Sequence, residues 1–337
     1  MKRFLLLFVV FGSIAIAQTG PGGVGKTDGT SSLKLWVDAA DATTKTLNST
    51  TVSQWSDKSG NASHGTQSTA TKQPTNNATG INSRETITFD GSNDAFNLPN
   101  NSVLINNAPC SFFCLMKPAN LTGYRSLYCA GPGGGFTAFE TNGSNLNYYD
   151  AADGIHNYNG TATLSTGTTY IFDANLSAGL AGVLTLNLNG GNDFTSPATT
   201  FGSTWGSNPE RTIGGTAIAT QFWSGDIGEV IIYNTQLSSA ERSIVGSYLG
   251  AKWGVSFSGS KYGGTSSYSD AVIGIGKESD GSNTSATAGG LTLTDNSALN
   301  ANGEYLLAGR NSGSNSVVTA DVASGVTHRW NRIWYLD

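Results

Sequence analysis

The stretch that best indicates the fold is Trp223-Ser224-Gly225-Asp226-Ile227-Gly228-Glu229-Val230-Ile231-Ile232-Tyr233-Asn234, which is followed by Ser238-Ser239-Ala240-Glu241. The run Glu229–Tyr233 is rich in β-branched residues and predicts a strand. The second sequence has the form of a capping box, which predicts that a helix begins there. Strand and helix therefore follow one another within a few residues.

Apolar residues continue the helical pattern at Ile244, Val245, Tyr248 and Leu249. Gly254 is typical of a residue that ends a helix. A helix is thus predicted over about 239–252, and we expect it to cover one end of a β-sandwich.

Upstream of this stretch the chain consists of short β runs separated by turn signals. The turns include Asp90-Gly91, Asn142-Gly143 and Asn189-Gly190. The runs are Leu33–Val37, Thr86–Phe89, Ser111–Met116, Ser126–Cys129, Phe136–Glu140, Asn145–Tyr149, Thr169–Asn175, Val183–Leu188 and Arg211–Ile213. Many short strands at this spacing predict an all-β, antiparallel sandwich or barrel with one short helix.

Downstream, the Gly- and Ser-rich residues 255–270 are predicted to be a linker. A second, smaller β domain is predicted at 271–337. Its last strand is predicted at Arg329–Leu336, and the chain stops one residue later. Because domains seldom end within an apolar strand, we expect this domain to be incomplete and the chain to be part of a longer protein.

The first seventeen residues have the features of a signal peptide. Lys2 and Arg3 precede the apolar run Phe4–Ile16, and Ala15-Ile16-Ala17 is a small-x-small cleavage site. Secretion is therefore predicted, to the exterior or the cell surface, with the mature chain beginning at Gln18.

Residues 18–32 are predicted to be a flexible, Gly-rich lead-in. They include Gly20-Pro21-Gly22-Gly23-Val24-Gly25-Lys26-Thr27, which matches the phosphate-loop pattern. That motif requires a strand before it and a helix after it. Here a signal peptide precedes it and the strand-like Leu33–Val37 follows, so nucleotide binding is not expected.

Composition and charge exclude several classes of partner. The net charge is −5, and Lys and Arg together number only 18 in 337 residues. No basic stripe is available, so we expect no nucleic-acid partner. Beyond the signal peptide no apolar run is long enough to span a bilayer, so we expect no membrane insertion.

Residues of about 33–254 resemble the laminin-G-like, concanavalin A-like lectin domains of bacterial secreted surface proteins. The motifs that carry the resemblance, besides 223–234, are Leu35-Trp36-Val37-Asp38-Ala39, Trp55-Ser56-Asp57-Lys58-Ser59-Gly60-Asn61 and Thr88-Phe89-Asp90-Gly91-Ser92-Asn93-Asp94. Residues 271–337 look like an uncharacterised β domain that follows in such proteins. The resemblance implies a jelly-roll sandwich at 33–254.

The resemblance also implies a secreted or cell-surface binding or adhesion protein that recognises a glycan or another surface ligand. A polysaccharide hydrolase or lyase on the same fold is an alternative, and a structural surface spacer is another. Fold alone does not decide among them. No nucleophile-elbow or zinc-protease motif occurs. Asp226 and Glu229 form a possible carboxylate pair, for which structural hydrogen bonding is the other interpretation.

The densest aromatic and polar stretch is Leu146–Asn159, and its composition suits a sugar. The candidate ligand-binding residues are Tyr148, Tyr149, Asp150, Asp153, His156 and Tyr158. Alternation along a strand sends one of the two adjacent tyrosines inward. An ordinary strand and turn is the alternative interpretation.

Two turns carry the oxygen ligands that calcium prefers. Asp57 and Asn61 lie in the first turn, and Asp90 and Asp94 lie in the second. Calcium is therefore a candidate cofactor. Asp57 can equally cap the backbone of its own turn, and that interpretation stays open.

The three cysteines, Cys110, Cys114 and Cys129, lie close together in the sequence. Cys110 and Cys114 are four residues apart on one predicted strand, about 13 Å, too far for a disulfide. Cys129 lies on the next strand and could reach either, so the pairing is left open.

Overall fold

The computed structural model describes residues 18–99, 109–131, 136–151, 156–177, 181–201, 210–216, 220–313, 317–318, 329–330 and 333–337. The predicted signal peptide lies outside these residues. The chain divides into two compact units. The larger unit is Gly25–Leu237, and the smaller unit consists of residues 18–24 and 238–337.

Within its described residues the larger unit is built from seventeen strands. They are β1 (Leu33–Asp38), β2 (Lys45–Asn48), β3 (Thr51–Trp55), β4 (Gly65–Thr66), β5 (Thr75–Ile81), β6 (Arg84–Asp90), β7 (Phe96–Leu98), β8 (Cys110–Pro118), β9 (Tyr124–Ala130), β10 (Thr137–Asn142), β11 (Asn145–Asp150), β12 (His156–Asn159), β13 (Tyr170–Leu176), β14 (Leu184–Leu188), β15 (Gly191–Thr195), β16 (Arg211–Ile213) and β17 (Ser224–Tyr233).

These strands pair into two antiparallel layers. The first layer has the order β15–β14–β13–β8–β17, and the far side of β17 pairs with β6 at one end and with β1 at the other. The second layer has the order β12–β11–β10–β9–β16–β7–β4–β3–β2. The remaining strand, β5, pairs with β6 of the first layer and at one position with β3 of the second. The predicted all-β, jelly-roll sandwich is confirmed.

Aromatic rings from the two layers fill the space between them. Phe112 of β8 stacks on Phe139 of β10, with ring centroids 4.3 Å apart and planes 7° apart. Phe172 of β13 meets both rings edge-on. All three rings are fully buried. Because strand side chains alternate, the neighbours of Phe139 in sequence lie on the outer side of the second layer.

The three cysteines are buried, and among the described residues they form no disulfide. Cys110 and Cys114 belong to the core between the layers, whereas Cys129 packs with Phe136 and Ala138 in a separate cluster. Burial raises the pKa of the Cys110 thiol to about 12. Cys110 therefore behaves as a small apolar residue and not as a nucleophile.

The smaller unit contains the helix and the remaining strands. These are α1 (Ser239–Trp253), β18 (Ala271–Glu278), β19 (Gly281–Asn283), β20 (Ser285–Ala288), β21 (Leu291–Thr294), β22 (Glu304–Arg310), β23 (Val317–Val318), β24 (Arg329–Trp330) and β25 (Trp334–Leu336). One sheet has the order β19–β18–β22–β25, and β20–β21 and β23–β24 form separate hairpin-like pairs. The predicted last strand, Arg329–Leu336, contains two strands among the described residues, and β24 and β25 pair with different partners.

The predicted capping box is present at the start of α1. Glu241 N donates to Ser238 Oγ at 3.3 Å, and Ser238 N donates to Glu241 Oε2 at 2.9 Å. The helix ends at Gly254, whose φ of +67° is left-handed. The Ile244 side chain of α1 packs against Gly274 of β18. Because Gly274 has no side chain, the helix can lie close to this strand. The division at Leu237/Ser238 thus differs from the predicted domain boundary at 254, which grouped α1 with the sandwich.

The Gly-rich start of the described chain is packed and not a flexible lead-in. Gly20–Val24 are buried, and Thr19 N and Oγ1 donate to Thr287 O at 3.0 and 2.8 Å. A Cβ on Gly23 would lie 2.4 Å from Ala286 Cβ. No helix follows Lys26 before β1, so the strand–loop–helix context that a phosphate loop requires is not formed by these residues. Among the described residues, no helix is long and apolar enough to cross a membrane.

Candidate functional site

The predicted ligand-binding stretch forms the hairpin of β11 and β12. Tyr148 is 3% exposed and packs in the core, 5.3 Å from the Phe139 ring. Tyr149 therefore faces outward, where its half-buried ring lies 5.0 Å from Phe136. The hairpin thus divides the candidate residues between its two sides. Asp153 lies outside the described residues.

On the inner side of the hairpin, the other candidates form a ring cluster. His156 and Tyr158 stack with centroids 5.8 Å apart, and Tyr158 stacks on Phe194 of β15 at 5.5 Å. The Tyr158 hydroxyl lies 3.3 Å from His156 Nδ1. This cluster spans from β12 in one layer to β15 in the other, so it closes one edge of the sandwich.

Asp150 is also on the inner side and is fully buried. Its Oδ1 accepts a hydrogen bond from Thr137 Oγ1 at 3.1 Å, and it pairs in register with His156. A ligand at the surface would not reach this carboxylate without opening the hairpin.

The outer side of the same strands carries a hydrogen-bonded row of amides. Asn147 Nδ2 donates to Asn157 Oδ1 at 2.6 Å and to Asn159 Oδ1 at 3.0 Å. Asn142 Nδ2 donates to Asn159 Oδ1 at 3.0 Å. Asn157 Nδ2 in turn donates to the Tyr124 hydroxyl at 2.9 Å.

We call the accessible part of this outer surface of β9–β12 the amide face, and its residues are Asn142, Tyr149, Asn157 and Asn159; Asn147 is buried beneath them and Tyr124 lies beside them. Asn157 and Asn159 are exposed, while Tyr124, Asn142 and Tyr149 are half-buried. Apart from Tyr149, these residues were not among the predicted ligand-binding residues. The alternation of Asn with aromatic residues at 145–149 and 156–159 is the sequence signal that locates most of them.

The first predicted calcium turn is held together by the side chain of Asp57. Asp57 Oδ1 accepts from Trp36 N and from Ser59 N, both at 2.9 Å. Asp57 Oδ2 accepts from Ser59 Oγ at 2.7 Å and from Ser63 N at 3.0 Å. Asn61 Nδ2 donates to Leu33 O at 2.9 Å. Asp57 thus caps its own turn and ties that turn to β1.

The second predicted calcium turn brings two carboxylates together. Asp90 Oδ1 accepts from the backbone N–H groups of Ser92 and Asn93 at 2.8 and 3.1 Å. Asp94 Oδ2 accepts from Asp90 N at 3.0 Å. Burial, reinforced by the neighbouring Asp90 charge, raises the pKa of Asp94 to about 6. A bound cation would relieve this repulsion, because it favours both ionised forms.

Within the described part of the chain, no cluster of three or more His, Cys, Asp or Glu side chains could hold a metal ion. The two turns engage their carboxylates locally, so the structure does not assemble the four predicted ligands into one cluster. Calcium therefore stays a prediction, with Asp90 and Asp94 as the pair that offers adjacent carboxylates.

The carboxylates of the motif 223–234 lie in different surroundings. Glu229 is fully buried, and its Oε1 accepts from Trp36 Nε1 at 2.7 Å. Asp226 lines a surface cleft of about 440 Å³ with Asn77, Thr88 and Lys117, and it accepts a short hydrogen bond from Thr88 Oγ1. Glu229 thus has the structural hydrogen bond that was one of its two interpretations.

The family match runs from the last residue of β6 to the first turn of α1. Residues 90–241 match the laminin G family model described as "Concanavalin A-like lectin/glucanases superfamily". No curated protein matches the chain.

Several solved structures align with this chain at low sequence identity and with TM-scores below 0.5. Domain 4 of AbnA, a GH43 extracellular arabinanase from Geobacillus stearothermophilus in complex with arabinotriose, is 16% identical, with 63% of this chain and 96% of that chain covered and a TM-score of 0.47. The Ruminococcus gnavus IT-sialidase CBM40 bound to alpha2,3 sialyllactose is 14% identical, with 41% and 80% covered and a TM-score of 0.36.

The binding domain of Paraclostridial Mosquitocidal Protein 1 is 15% identical, with 87% of this chain and 66% of that chain covered and a TM-score of 0.47. At these scores the likeness transfers no residue role to this chain. The family match is the stronger finding, and it agrees with the sandwich of two antiparallel layers. Residues 90–241 therefore match, over less than half of the chain, the laminin-G-like model of the concanavalin A-like lectin/glucanase superfamily.

Proposed function

We propose that this protein binds carbohydrate without cleaving it, and that the amide face is the contact surface. The observation that carries the proposal is the row of hydrogen-bonded amides beside Tyr149 on the exposed side of a lectin-like sandwich. Asn157 and Asn159 are both exposed there, and Tyr149 contributes an aromatic ring on the same side. A sugar offers hydroxyl groups and an apolar ring face, which such a surface can match.

Amides suit this role because each side chain both donates and accepts hydrogen bonds. The contacts among Asn142, Asn147, Asn157 and Asn159 hold these groups in place before a ligand arrives. Preorganised polar groups lose less entropy on binding than free ones. The inner ring cluster of His156, Tyr158 and Phe194 has a supporting role, since it fixes the hairpin that carries the amides.

The proposal includes export, from the predicted signal peptide, and a glycan at the cell surface or outside the cell. Adhesion would follow from such binding. Calcium is proposed only for the turn of Asp90 and Asp94, where it would hold the turn and not contact the sugar. N-terminal sequencing of exported protein should find Gln18 as the first residue.

A glycan array, probed with and without calcium, tests the proposal. The variant Asn159→Ala should weaken binding of the best glycan by about two- to tenfold, the effect of one neutral hydrogen bond. The matched control is Asn192→Ala, an exposed asparagine on β15 at a distance from the amide face.

Two outcomes would contradict the proposal. Release of reducing ends or unsaturated products would favour the hydrolase or lyase, and an array without any signal would favour the surface spacer. Equal losses in Asn159→Ala and Asn192→Ala would remove the amide face as the contact surface.

A further inference from the structure

Beneath the amide face lies a row of three buried polar side chains. Glu140 of β10 pairs directly with Ser126 of β9 on one side and with Asn147 of β11 on the other. Directly opposite residues on neighbouring strands share one face of the sheet, and the strands are about 4.8 Å apart. All three residues are 0% exposed.

Four oxygen atoms in this row lack a hydrogen-bond partner. They are Glu140 Oε1 and Oε2, Ser126 Oγ and Asn147 Oδ1, and none of them has a partner in the part of the chain that the structure describes. A buried polar group without a partner destabilises a protein by about 1–3 kcal/mol. Several in one row are unusual in a native protein and point to a ligand that completes them.

Tyr124 covers this row. Tyr124 of β9 lies opposite Asn142 of β10, which lies opposite Asn145 of β11. Asn157 of β12 lies opposite Tyr149, four residues further along β11. Because the Tyr124 hydroxyl meets Asn157 Nδ2 at 2.9 Å, its side chain crosses diagonally above Glu140 and Asn147. This crossing explains how a glutamate on the outer side of a sheet is fully buried.

We propose that Ser126, Glu140 and Asn147 form a covered subsite for the hydroxyl groups of a neutral sugar residue, and that Tyr124 is the lid that moves to admit it. The inference rests on the proposed carbohydrate binding and specifies its ligand class. The three polar groups follow one another at the strand spacing of about 4.8 Å, so hydroxyl groups of one sugar residue can reach Glu140 and a neighbouring member of the row together.

The charge around Glu140 selects for a neutral sugar. Among their described residues, β9, β11 and β12 carry no Asp, Glu, Lys, Arg or His on the side of the sheet that holds Glu140. The titratable groups of these strands on that side are Tyr124, Cys129 and Tyr149. Arg125 alternates to the other side, where it donates to Gly91 O and Phe222 O. An acidic sugar would therefore meet a carboxyl group without a compensating cation.

Sugar binding should release a proton from Glu140. Burial raises the pKa of this carboxyl to about 8, so at pH 7 most free protein carries the proton. Sugar hydroxyls that donate to the carboxylate stabilise its ionised form. The Glu140 proton then passes to the buffer base, and each hydroxyl keeps its own proton while it donates a hydrogen bond.

Isothermal titration calorimetry at pH 7, in two buffers of different ionisation enthalpy, tests the inference. The probes are xylotriose, cellotriose and maltotriose as neutral sugars and digalacturonic acid as an acidic one. We expect a neutral trisaccharide to bind wild type with release of more than half a proton, and Glu140→Gln to bind it without release. Tyr124→Ala should bind several-fold more tightly because the lid is absent.

The outcomes separate this inference from the proposed function. Binding by wild type with no proton release, or an affinity lost in Tyr124→Ala, would overturn the covered subsite and leave carbohydrate binding intact. Absence of binding in wild type and in Tyr124→Ala would overturn both. Tighter binding of digalacturonic acid, or binding only with calcium, would also overturn the neutral-sugar subsite. Thermal unfolding and the variant Tyr124→Phe check that an affinity change does not come from misfolding.

Discussion

Asn157 on β12 donates a hydrogen bond to the Tyr124 hydroxyl on β9, across 2.9 Å, although β10 and β11 lie between the two strands. A side-chain contact that spans two strands must lie flat on the sheet. It therefore shields the groups beneath it from water, and Glu140 is the ionisable group among them. The electrostatic consequences of this shield can be measured without any ligand.

The stability of the free protein should fall as the pH rises from about 4.5 to about 8. The pKa of Glu140 is about 8 in the folded chain and 4.5 in the reference state, so the folded state holds the proton over a range where the unfolded state has lost it. Its stabilising contribution is complete below pH 4.5 and is lost as the pH passes through 8. At about 1.4 kcal/mol per pKa unit, the change is roughly a few kcal/mol.

Urea unfolding followed across this pH range measures the effect. Glu140→Gln cannot ionise, so its free energy of unfolding should change much less over the same range. A matched control is Glu85→Gln, which removes an ionisable partner of Lys45 elsewhere in the sandwich. A parallel pH dependence in wild type and Glu140→Gln would contradict the burial of Glu140.

Local sequence patterns predict those features of the fold that depend on neighbouring residues. The turn Asn189-Gly190 and the capping box at Ser238 depend on neighbouring residues, and both are present as predicted. Strand alternation predicts that Tyr148 and Tyr149 face opposite sides of the sheet, but it does not tell which side is the core. The stacking of Phe139 on Phe112 of the other layer identifies the core side, and Tyr148 lies beside Phe139 there.

Features that depend on distant residues could not be predicted in this way. Glu140 lies within a predicted strand, and its burial depends on Tyr124 from a different strand. Gly23 likewise reads as part of a flexible segment, because its packing partner, Ala286, is more than two hundred residues away. The amphipathic pattern of α1 shows that one face is apolar and does not show that Gly274 of β18 lies against it.

Asp57 should be important for stability even without a metal ion. Asp57→Ala leaves the N–H groups of Trp36, Ser59 and Ser63 without their acceptor. We expect the free energy of unfolding to fall by roughly 2–4 kcal/mol, since each lost partner of a partly buried donor is destabilising. Chemical denaturation in the presence of EDTA measures this.

The control for Asp57 is Asp28→Ala. Asp28 is exposed and accepts from Thr30 N at 2.9 Å in a turn of similar geometry. Its removal should have little effect on unfolding. Equal effects of the two substitutions would show that the Asp57 turn does not tie the chain to β1.

Calcium, if it binds at Asp90 and Asp94, should raise the melting temperature through mass action. The variants Asp90→Asn and Asp94→Asn keep an oxygen that can accept the backbone hydrogen bonds of this turn and remove one charge each. Both variants should lose the calcium-dependent rise in melting temperature, whereas Asp57→Asn should keep that rise. A melting temperature that does not respond to millimolar calcium in wild type would exclude the site.

The N-terminal segment, residues 18–24, should depend on the close packing of Gly23 against Ala286. Gly23 has a φ of +93°, and a Cβ at this position would lie 2.4 Å from Ala286 Cβ. Gly290, in the same unit, has a φ of +89° with nothing within 4 Å of its would-be Cβ. The two glycines have nearly the same positive φ, so the difference between the two substitutions to Ala reports mainly on the packing against Ala286. Gly23→Ala should therefore lower the free energy of unfolding by about 1–3 kcal/mol more than Gly290→Ala, the usual effect of overpacking.

Limited proteolysis provides a second measurement, because release of residues 18–24 from the smaller unit should expose them to cleavage in Gly23→Ala first. Equal stability and equal cleavage in the two variants would mean that the segment is a loose lead-in after all.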